Sequence, residues 1–510
     1  MGERLNNFLV TTMGWLPARL ALAVMAWLGF INLYMVRINL SVIIVAMVRR
    51  NVSVATSAPC LSMTNSSHDG GANQSSVENA FDQQEKEGEM EWDEVTQGLV
   101  LASFFYGYAL TQIVGGRLAD LYGTRWVFGS CIFSGGICAV LSPLAARTHY
   151  AAFIALRIIQ GIFQGASWPS MHPCLSHWIP PIERPRFIAV VYLGATLSTS
   201  MTLPLCGVII AALGWAAAFY VTGALSLAWC ALWFFFMYDT PRQHPRISER
   251  ELRYIEGAVT RAGTSRRRAK RLPVASIARS LPVWAIVVCS VGNSWGLNLF
   301  LTQLPTYMKN ILGFSIRENG LLSALPFLVR YVGAITWSSL GDWLIKRGHL
   351  SVRNSRRIFS AVAMWLPALM IVGVVFAGCD WKMTVALFCV SMFCNGSVTA
   401  SLVVNHTDIA PNFSGTIFGV ANTASSIVAF TVPAVVGALI NKQQTLGQWQ
   451  KVFWMCVPMY AVAEIFFLVF SSASVQPWNH VEDDFKAGSE NSHSQSTELE
   501  TLKGEEGSRT

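Results

Sequence analysis

Apolar residues in this chain come in runs about as long as a bilayer's hydrocarbon core is thick. A core of roughly 30 Å calls for about 20 apolar residues at 1.5 Å each. Windows that meet this requirement lie near 20–47, 95–117, 124–145, 150–178, 187–212, 215–238, 282–308, 318–341, 358–378, 382–406, 413–440 and 449–472. The pattern predicts an all-α membrane protein with twelve spans and mostly short connections. The first window follows MGERLNNFLVTTMGWLPARL, which lacks a small-residue cleavage site, so it is expected to stay as a helix rather than leave as a signal peptide.

Two connections are long, and their charges differ. The stretch 239–281 carries 11 Lys and Arg against 4 acids, and 342–357 carries 5 against 1. Basic residues collect on the cytoplasmic side of membrane proteins, so these stretches are expected there. The loop 48–94 carries 3 basic residues against 9 acids and holds the acceptor triplets at Asn51, Asn65 and Asn73. It is expected on the extracellular or lumenal side, glycosylated at those asparagines. An even number of spans then leaves both termini cytoplasmic. The expected domains are a cytoplasmic N-terminus (1–19), a six-helix bundle (20–238), the basic linker (239–281), a second six-helix bundle (282–472) and an acidic, Ser- and Glu-rich tail (473–510) that reads as disordered.

Composition agrees with the class: 53% of residues are hydrophobic and only 13% charged. The net charge of +8 sits in linkers rather than on a nucleic-acid-binding face, so no nucleic-acid partner is expected. The 11 cysteines have no CxxC spacing and no histidine partner at ligand distance, so no metal site is expected. Most read as small buried hydrophobes, while Cys60 and Cys379 share the non-cytoplasmic side and are open to pairing.

An internal repeat emerges once the spans are numbered. Gly116-Arg-Leu-Ala-Asp120-Leu-Tyr-Gly123-Thr-Arg125 separates spans 2 and 3, and Gly341-Asp342-Trp-Leu-Ile-Lys346-Arg347 separates spans 8 and 9. Each has an Asp followed five residues later by an Arg, six spans apart. Two pseudo-symmetric halves joined by a long linker fit a transporter with its site between them. Asp120 with Arg125, and Asp342 with Arg347, are the expected gating pairs. The first loop resembles the signature of the major facilitator superfamily.

The chemistry concentrates on Arg37 and Arg157, each inside an apolar membrane-length segment. A guanidinium keeps its proton in a protein, and at the bilayer centre it costs roughly 2.5–3.5 kcal/mol on insertion scales. Neither has an acidic residue nearby in its own span, so the simplest counter-charge is a transported anion. The alternative is a backbone carbonyl or a distant acid such as Glu464. The two arginines fall at broadly similar depth and can share one carboxylate or phosphate. Arg330 in span 8 is either a third site cation or a snorkelling side chain.

Around them, Gln164 lies seven residues beyond Arg157 on the same helical face, able to hydrogen-bond but not to titrate. Tyr34, Phe104, Phe105 and Tyr106 are candidate cavity aromatics or simply packing residues. Glu464, His406 and Asp408 are candidates for ion coupling, against solvated, lipid-facing or gate-forming roles. No nucleophile–base pair, phosphate loop or metal cluster is present in the pattern, so an enzyme is not expected.

Arg37-Ile-Asn-Leu-Ser, Ser103-Phe-Phe-Tyr-Gly-Tyr, Arg157-Ile-Ile-Gln-Gly, the Pro180-to-Arg184 turn, Leu304-Pro-Thr-Tyr-Met308 and Asn405-His-Thr-Asp-Ile-Ala-Pro411 together resemble the anion:cation symporters. That family includes sialin, the vesicular glutamate transporters and type I sodium-phosphate cotransporters. The likeness runs from about Arg19 to Trp478 and is nearest to sialin-like members. It implies the major facilitator fold, small anionic substrates, and Arg37 and Arg157 in anion recognition. It also marks departures. Where sialin and the glutamate transporters carry a span 4 glutamate tied to proton coupling, this chain has Gln164. Where glutamate transporters carry a span 2 histidine and a span 7 arginine, it has Leu101 and Asn293. Asn293 thereby joins the substrate-site candidates.

The reading is a secondary active transporter of small anions, organic or phosphate, by alternating access. It is driven by a sodium gradient or membrane potential, with co-transported Na+ or H+ and no other cofactor. A proton-coupled sialin-like exporter of acidic sugars or amino acids, a non-transporting anion sensor and an anion channel are the rivals. The protein is expected to work as a monomer in the plasma membrane or an endolysosomal or vesicular membrane.

Overall fold

The computed structural model describes residues 17–49, 88–180, 183–245, 247–263, 273–411, 413–441 and 444–480. Asn51, Asn65, Asn73, Cys60 and the tail beyond residue 480 lie outside them. Among the described residues the structure is helical, with one isolated bridge between Val48 and Met90.

Helices α1 (Ala18–Ile38) and α2 (Leu40–Met47) form the first span, α3 (Glu94–Tyr122) the second, α4 (Thr124–Thr148) the third. Helices α5 (Tyr150–Gln164) and α6 (Ser167–Trp178) form the fourth, α7 (Arg184–Leu213) the fifth, α8 (Trp215–Phe236) the sixth. The linker contributes α9 (Glu249–Gly263) and α10 (Val274–Arg279). The second half is α11 (Leu281–Asn310), α12 (Ile316–Lys346), α13 (Val352–Ala377), α14 (Trp381–Asn395) with α15 (Leu402–Ile409), α16 (Ser414–Ile440) and α17 (Leu446–Phe470).

Among the described residues, 10 helical segments are long and apolar enough to cross a membrane. The remaining two spans, α3 and α5–α6, carry polar residues that build the site described below. Large apolar side chains such as Leu110, Leu144, Phe376 and Val462 stand exposed on the outer surface of the bundles. Water would penalise such a surface, whereas lipid tails match it.

Local signals account for the helix ends. Asp93 Oδ1 accepts from Thr96 N at 3.0 Å and starts α3. Ser315 and Glu318 form a reciprocal capping box at the start of α12. The turns from α3 to α4 and from α7 to α8 pass through Gly123 (φ 86°) and Gly214 (φ 82°), a region where a side chain is strained.

The halves meet along α3 against α16 and α7 against α12. Near the end that bears the long 48–94 loop, hereafter the loop end, the backbones almost touch. A Cβ on Gly98 would sit 2.5 Å from the Pro433 carbonyl oxygen, and one on Gly320 would sit 2.7 Å from that of Leu203. Lys309 Nζ donates to the Val45 carbonyl at 2.9 Å, and Gln444 Nε2 donates to Glu94 Oε1 at 3.1 Å, so the loop end is shut. Toward the opposite, basic end, a Cβ on Gly415 or Gly419 of α16 would meet nothing within 4 Å.

The linker, read from sequence only as a basic stretch, contains a docked helix. Glu251 of α9 accepts from the Ala18 N–H at 2.9 Å and from Arg19 Nε at 3.1 Å, and Arg19 also pairs with Glu183 at 2.6 Å. These contacts clamp α9 to the start of the first span, whose leading N–H groups would otherwise lack partners. Cys379, on the loop side of α13, is disulfide-bonded, whereas nine other cysteines are free.

Candidate functional site

The loops that read as gates are largely helix: α3 runs on to Tyr122 and α12 to Lys346, past the ends of their apolar windows. Asp120 lies on α3, and its side chain is outside the described set. Arg125 works within its own half: its N–H donates to Asp239 Oδ1 at 2.8 Å, its guanidinium donates to the Phe234 carbonyl, and it lies 5.0 Å from the Tyr238 ring centre. It thus fastens α4 to the end of α8. Asp342 is exposed on α12, and Arg347 lies over Trp343 at 4.7 Å.

Arg157 is 3% exposed, and among the described residues no carboxylate pairs with it. It donates to Gln160 Oε1 at 2.8 Å, to the Arg37 carbonyl at 3.2 Å and to the Val36 carbonyl at 3.4 Å. Those carbonyls lie just before Asn39, where the helix assignment of the first span is interrupted. Its Nε has no partner. The backbone-carbonyl alternative therefore holds in part for Arg157, because polar backbone atoms solvate the charge without neutralising it.

Arg37 is held differently. Its guanidinium carbon lies 5.1 Å from the Tyr34 ring centre, 5.0 Å from Phe104, 4.8 Å from Phe105 and 4.8 Å from Tyr108. Four aromatic faces offer a quadrupole in place of a counter-ion. Arg37 is half-buried, with its Nε unpartnered. Among the described residues no acid pairs with it, and Arg157 lies within its electrostatic field.

This cage stands on the seam between the halves. Phe104, Phe105 and Tyr108 pack with Ala429 and Phe430 of α16 and with Trp168 of α6. Gln112 Nε2 donates to Ser426 Oγ at 3.1 Å across the same seam. Tyr106, the tyrosine singled out from sequence, turns instead onto Phe430 at 4.9 Å. Tyr108, which sequence reading missed, has its hydroxyl between Arg37 and Gln112. Two residues on a helix are about 200° apart, so only one of these tyrosines can face Arg37. Gln160 was missed too, although its place three residues after Arg157 puts it in reach on one face.

Gln164 is fully buried against Gly135 and Val36, and neither of its amide atoms has a partner. Asn293 belongs to the other half, where its Oδ1 accepts from Asn395 Nδ2 at 2.7 Å and Asn395 Oδ1 accepts from Arg330 Nε at 2.9 Å. Arg330 thus belongs to a polar cluster rather than snorkelling to a membrane surface.

Of the coupling candidates, Glu464 and Asp408 find their partners within the second half, whereas His406 meets α16, a helix of the seam. Glu464 is fully buried among α11, α13 and α17, where Ser360 Oγ donates to its Oε2 at 2.6 Å and Oε1 is unpartnered. Asp408 pairs with Arg356 at 2.7 Å. His406 stacks on Phe418 at 5.3 Å, with Nδ1 3.1 Å from the Leu402 carbonyl oxygen. A small, mostly apolar pocket lies inside the second half around Gln303, Tyr307 and Trp449, without a charged lining residue. Its chemistry does not suit an anion.

The Major Facilitator Superfamily family model matches residues 22–433. Human sialin is 36% identical over 468 residues, covering 90% of this chain and 90% of sialin. Vesicular glutamate transporter 1 of Xenopus laevis is 31% identical over 477 residues, covering 93% of this chain and 78% of that one. Among solved structures, a D-xylose–proton symporter superimposes with a TM-score of 0.61 at 16% identity, covering 89% of this chain and 98% of that one. A bacterial homologue of the human lysosomal transporter Spinster, inward-facing and occupied, gives a TM-score of 0.62 at 14% identity over 91% of this chain and 99% of that one. At such identities the structural likeness speaks for the fold alone.

Proposed function

We propose a substrate class and a mechanism from one premise: this chain belongs to the Major Facilitator Superfamily. It is a secondary active transporter of small anions, not an enzyme. The substrate is an organic carboxylate or phosphate that docks at Arg37 on the seam, with Arg157 behind it as a fixed second charge. The observation that carries this reading is the pair of guanidiniums held by ring faces and carbonyls, with no carboxylate among the described residues to cancel them. Such a site is electropositive when empty and is neutralised only by its passenger.

Alternating access follows from the way the halves meet. The loop end is closed by near backbone contact, and rocking about the seam would open it while shifting α16 of the second half against the aromatic cage of the first. We assign the basic end to the cytoplasm, which places both termini there and the 48–94 loop outside or in a lumen, glycosylated. Charge asymmetry supports this assignment. The driving force is a sodium gradient or the membrane potential. Gln164 supports that choice over proton symport, since an amide at this depth cannot carry a proton. The protein works as a monomer in the plasma membrane or in an endolysosomal or vesicular membrane.

The test is uptake into proteoliposomes of labelled phosphate, glutamate, sialate, urate and nucleotide, with sodium, proton and voltage gradients imposed in turn. Accumulation of at least one anion under sodium or voltage is expected. Binding without counterflow would point to a sensor, and accumulation only under a proton gradient would overturn the coupling assignment.

A further inference from the structure

The polar cluster in the second half has no role in the mechanism so far, and it contains a third uncompensated cation. Arg330 lies 14 residues into α12, near mid-membrane, where a charge is most costly. No acid pairs with it among the described residues. Its one hydrogen-bond partner is Asn395, whose amide is fixed by Asn293 at 2.7 Å and by the Ala363 carbonyl at 3.4 Å. That chain orients the Asn395 oxygen toward Nε and leaves the other guanidinium N–H groups unspent. Buried polar groups are ordinarily hydrogen-bonded, so N–H groups left over on a guanidinium at this depth are available to a ligand.

The field of Arg330 extends beyond its own half. Its electrostatic neighbours are Tyr460 of its own half and Tyr34 of the first span. Tyr34 is one of the four rings around Arg37, at 5.1 Å. Tyr34 therefore feels the charge of two cations that belong to opposite halves. Arg330 is half-buried rather than sealed.

We propose that Arg330 is the second anion-binding pole of the transport site, and that the protein selects solutes with two anionic groups spaced to bridge Arg37 and Arg330 across the halves. Asn395 and Asn293 are positioning residues that aim it. A bridging dianion ties the two bundles together, so its occupancy favours the conformation in which the seam is closed around it. A monoanion satisfies one pole and leaves the other charge bare, which costs the site part of its affinity.

This inference rests on the anion-transport reading, and one experiment separates the two. The purified full-length protein is challenged with malonate, succinate, glutarate and adipate, and with lactate as the monoanion, reading thermal stabilisation and counterflow of labelled succinate. Wild type should prefer one dicarboxylate length over its neighbours and over lactate. Arg330→Gln should lose roughly 10–100-fold in apparent affinity for that dicarboxylate, flatten the length dependence and leave lactate within threefold. Equal losses for all acids, or none, would overturn the proposal while leaving anion transport standing. Failure of every anion to bind or move would instead overturn the transport reading. Should Arg330→Gln not fold, Asn293→Asp decides: a carboxylate placed in the cluster should neutralise Arg330 and abolish the length preference, and an unchanged preference refutes the bridge.

Discussion

Arg37→Gln separates stability from function in a way that a packing residue cannot. In the empty protein the Arg37 guanidinium is held by four rings at 4.8–5.1 Å and has an unpartnered Nε. Cation–ring contacts contribute about 0.5–1 kcal/mol each where solvent reaches them, so the four together reach at most about 2–4 kcal/mol. They offset a burial cost of roughly 2.5–3.5 kcal/mol for a membrane-depth arginine. The two effects nearly cancel, so replacing the charge by an amide should change folding stability by no more than about 1–2 kcal/mol, in either direction. Anion affinity has no such cancellation. A charge-assisted hydrogen bond contributes about 1.5–3 kcal/mol, so its loss should raise KM roughly 10–150-fold. Arg37→Lys keeps the charge but loses the planar fork and much of the ring stacking, and should fall between the two. The assay is counterflow in proteoliposomes of matched protein content, with thermal unfolding of the same preparations. A KM within threefold of wild type for every transported anion would refute the reasoning. So would an affinity loss accompanied by collapse of thermal stability, because Arg37 would then be structural.

Other substitutions test other parts of the structure. Gly98→Ala places a methyl 2.5 Å from the Pro433 carbonyl oxygen, so closure at the loop end should fail and counterflow should fall at least about tenfold while detergent-solubilised protein still binds anion. Asp239→Ala removes the acceptor for the Arg125 N–H and should destabilise the first half by about 1–3 kcal/mol, read as a lower unfolding temperature. Glu464→Gln can keep the 2.6 Å contact with Ser360, so stability within about 1 kcal/mol and unchanged ion dependence are expected, and a loss of cation coupling would show that Glu464 belongs to the transport cycle. At the loop end the Arg147 hydrogen bond and charge hold the Glu89 carboxyl below its ordinary value of 4.5. Its small stabilising contribution is present above that value and disappears as pH falls through the lowered one, so the stability gap between wild type and Glu89→Gln should stay constant from neutral pH to about 5 and close only below 4.5.

The twelve spans, the two halves and the two odd arginines were all legible in the chain, because each depends on local quantities. Whether twenty residues can cross a bilayer is decided by those residues, and a guanidinium among Val, Ile and Leu is costly wherever the helix later packs. What satisfies each arginine depends on groups distant in sequence, and only the tertiary structure decided it. Rings from α3 surround Arg37, carbonyls from the end of α1 receive Arg157, and Asn395 holds Arg330. Helical phase explains why Tyr108 and not Tyr106 meets Arg37: periodicity orders faces along a helix, but only packing says which face looks at which neighbour. The linker helix and the Arg125–Asp239 latch were hidden for the same reason, since their partners lie 232 and 114 residues away along the chain. Apolar length and charge asymmetry therefore settled what kind of protein this is. The meeting of two bundles, each incomplete alone, decided where its charges are spent and which remain for a passenger.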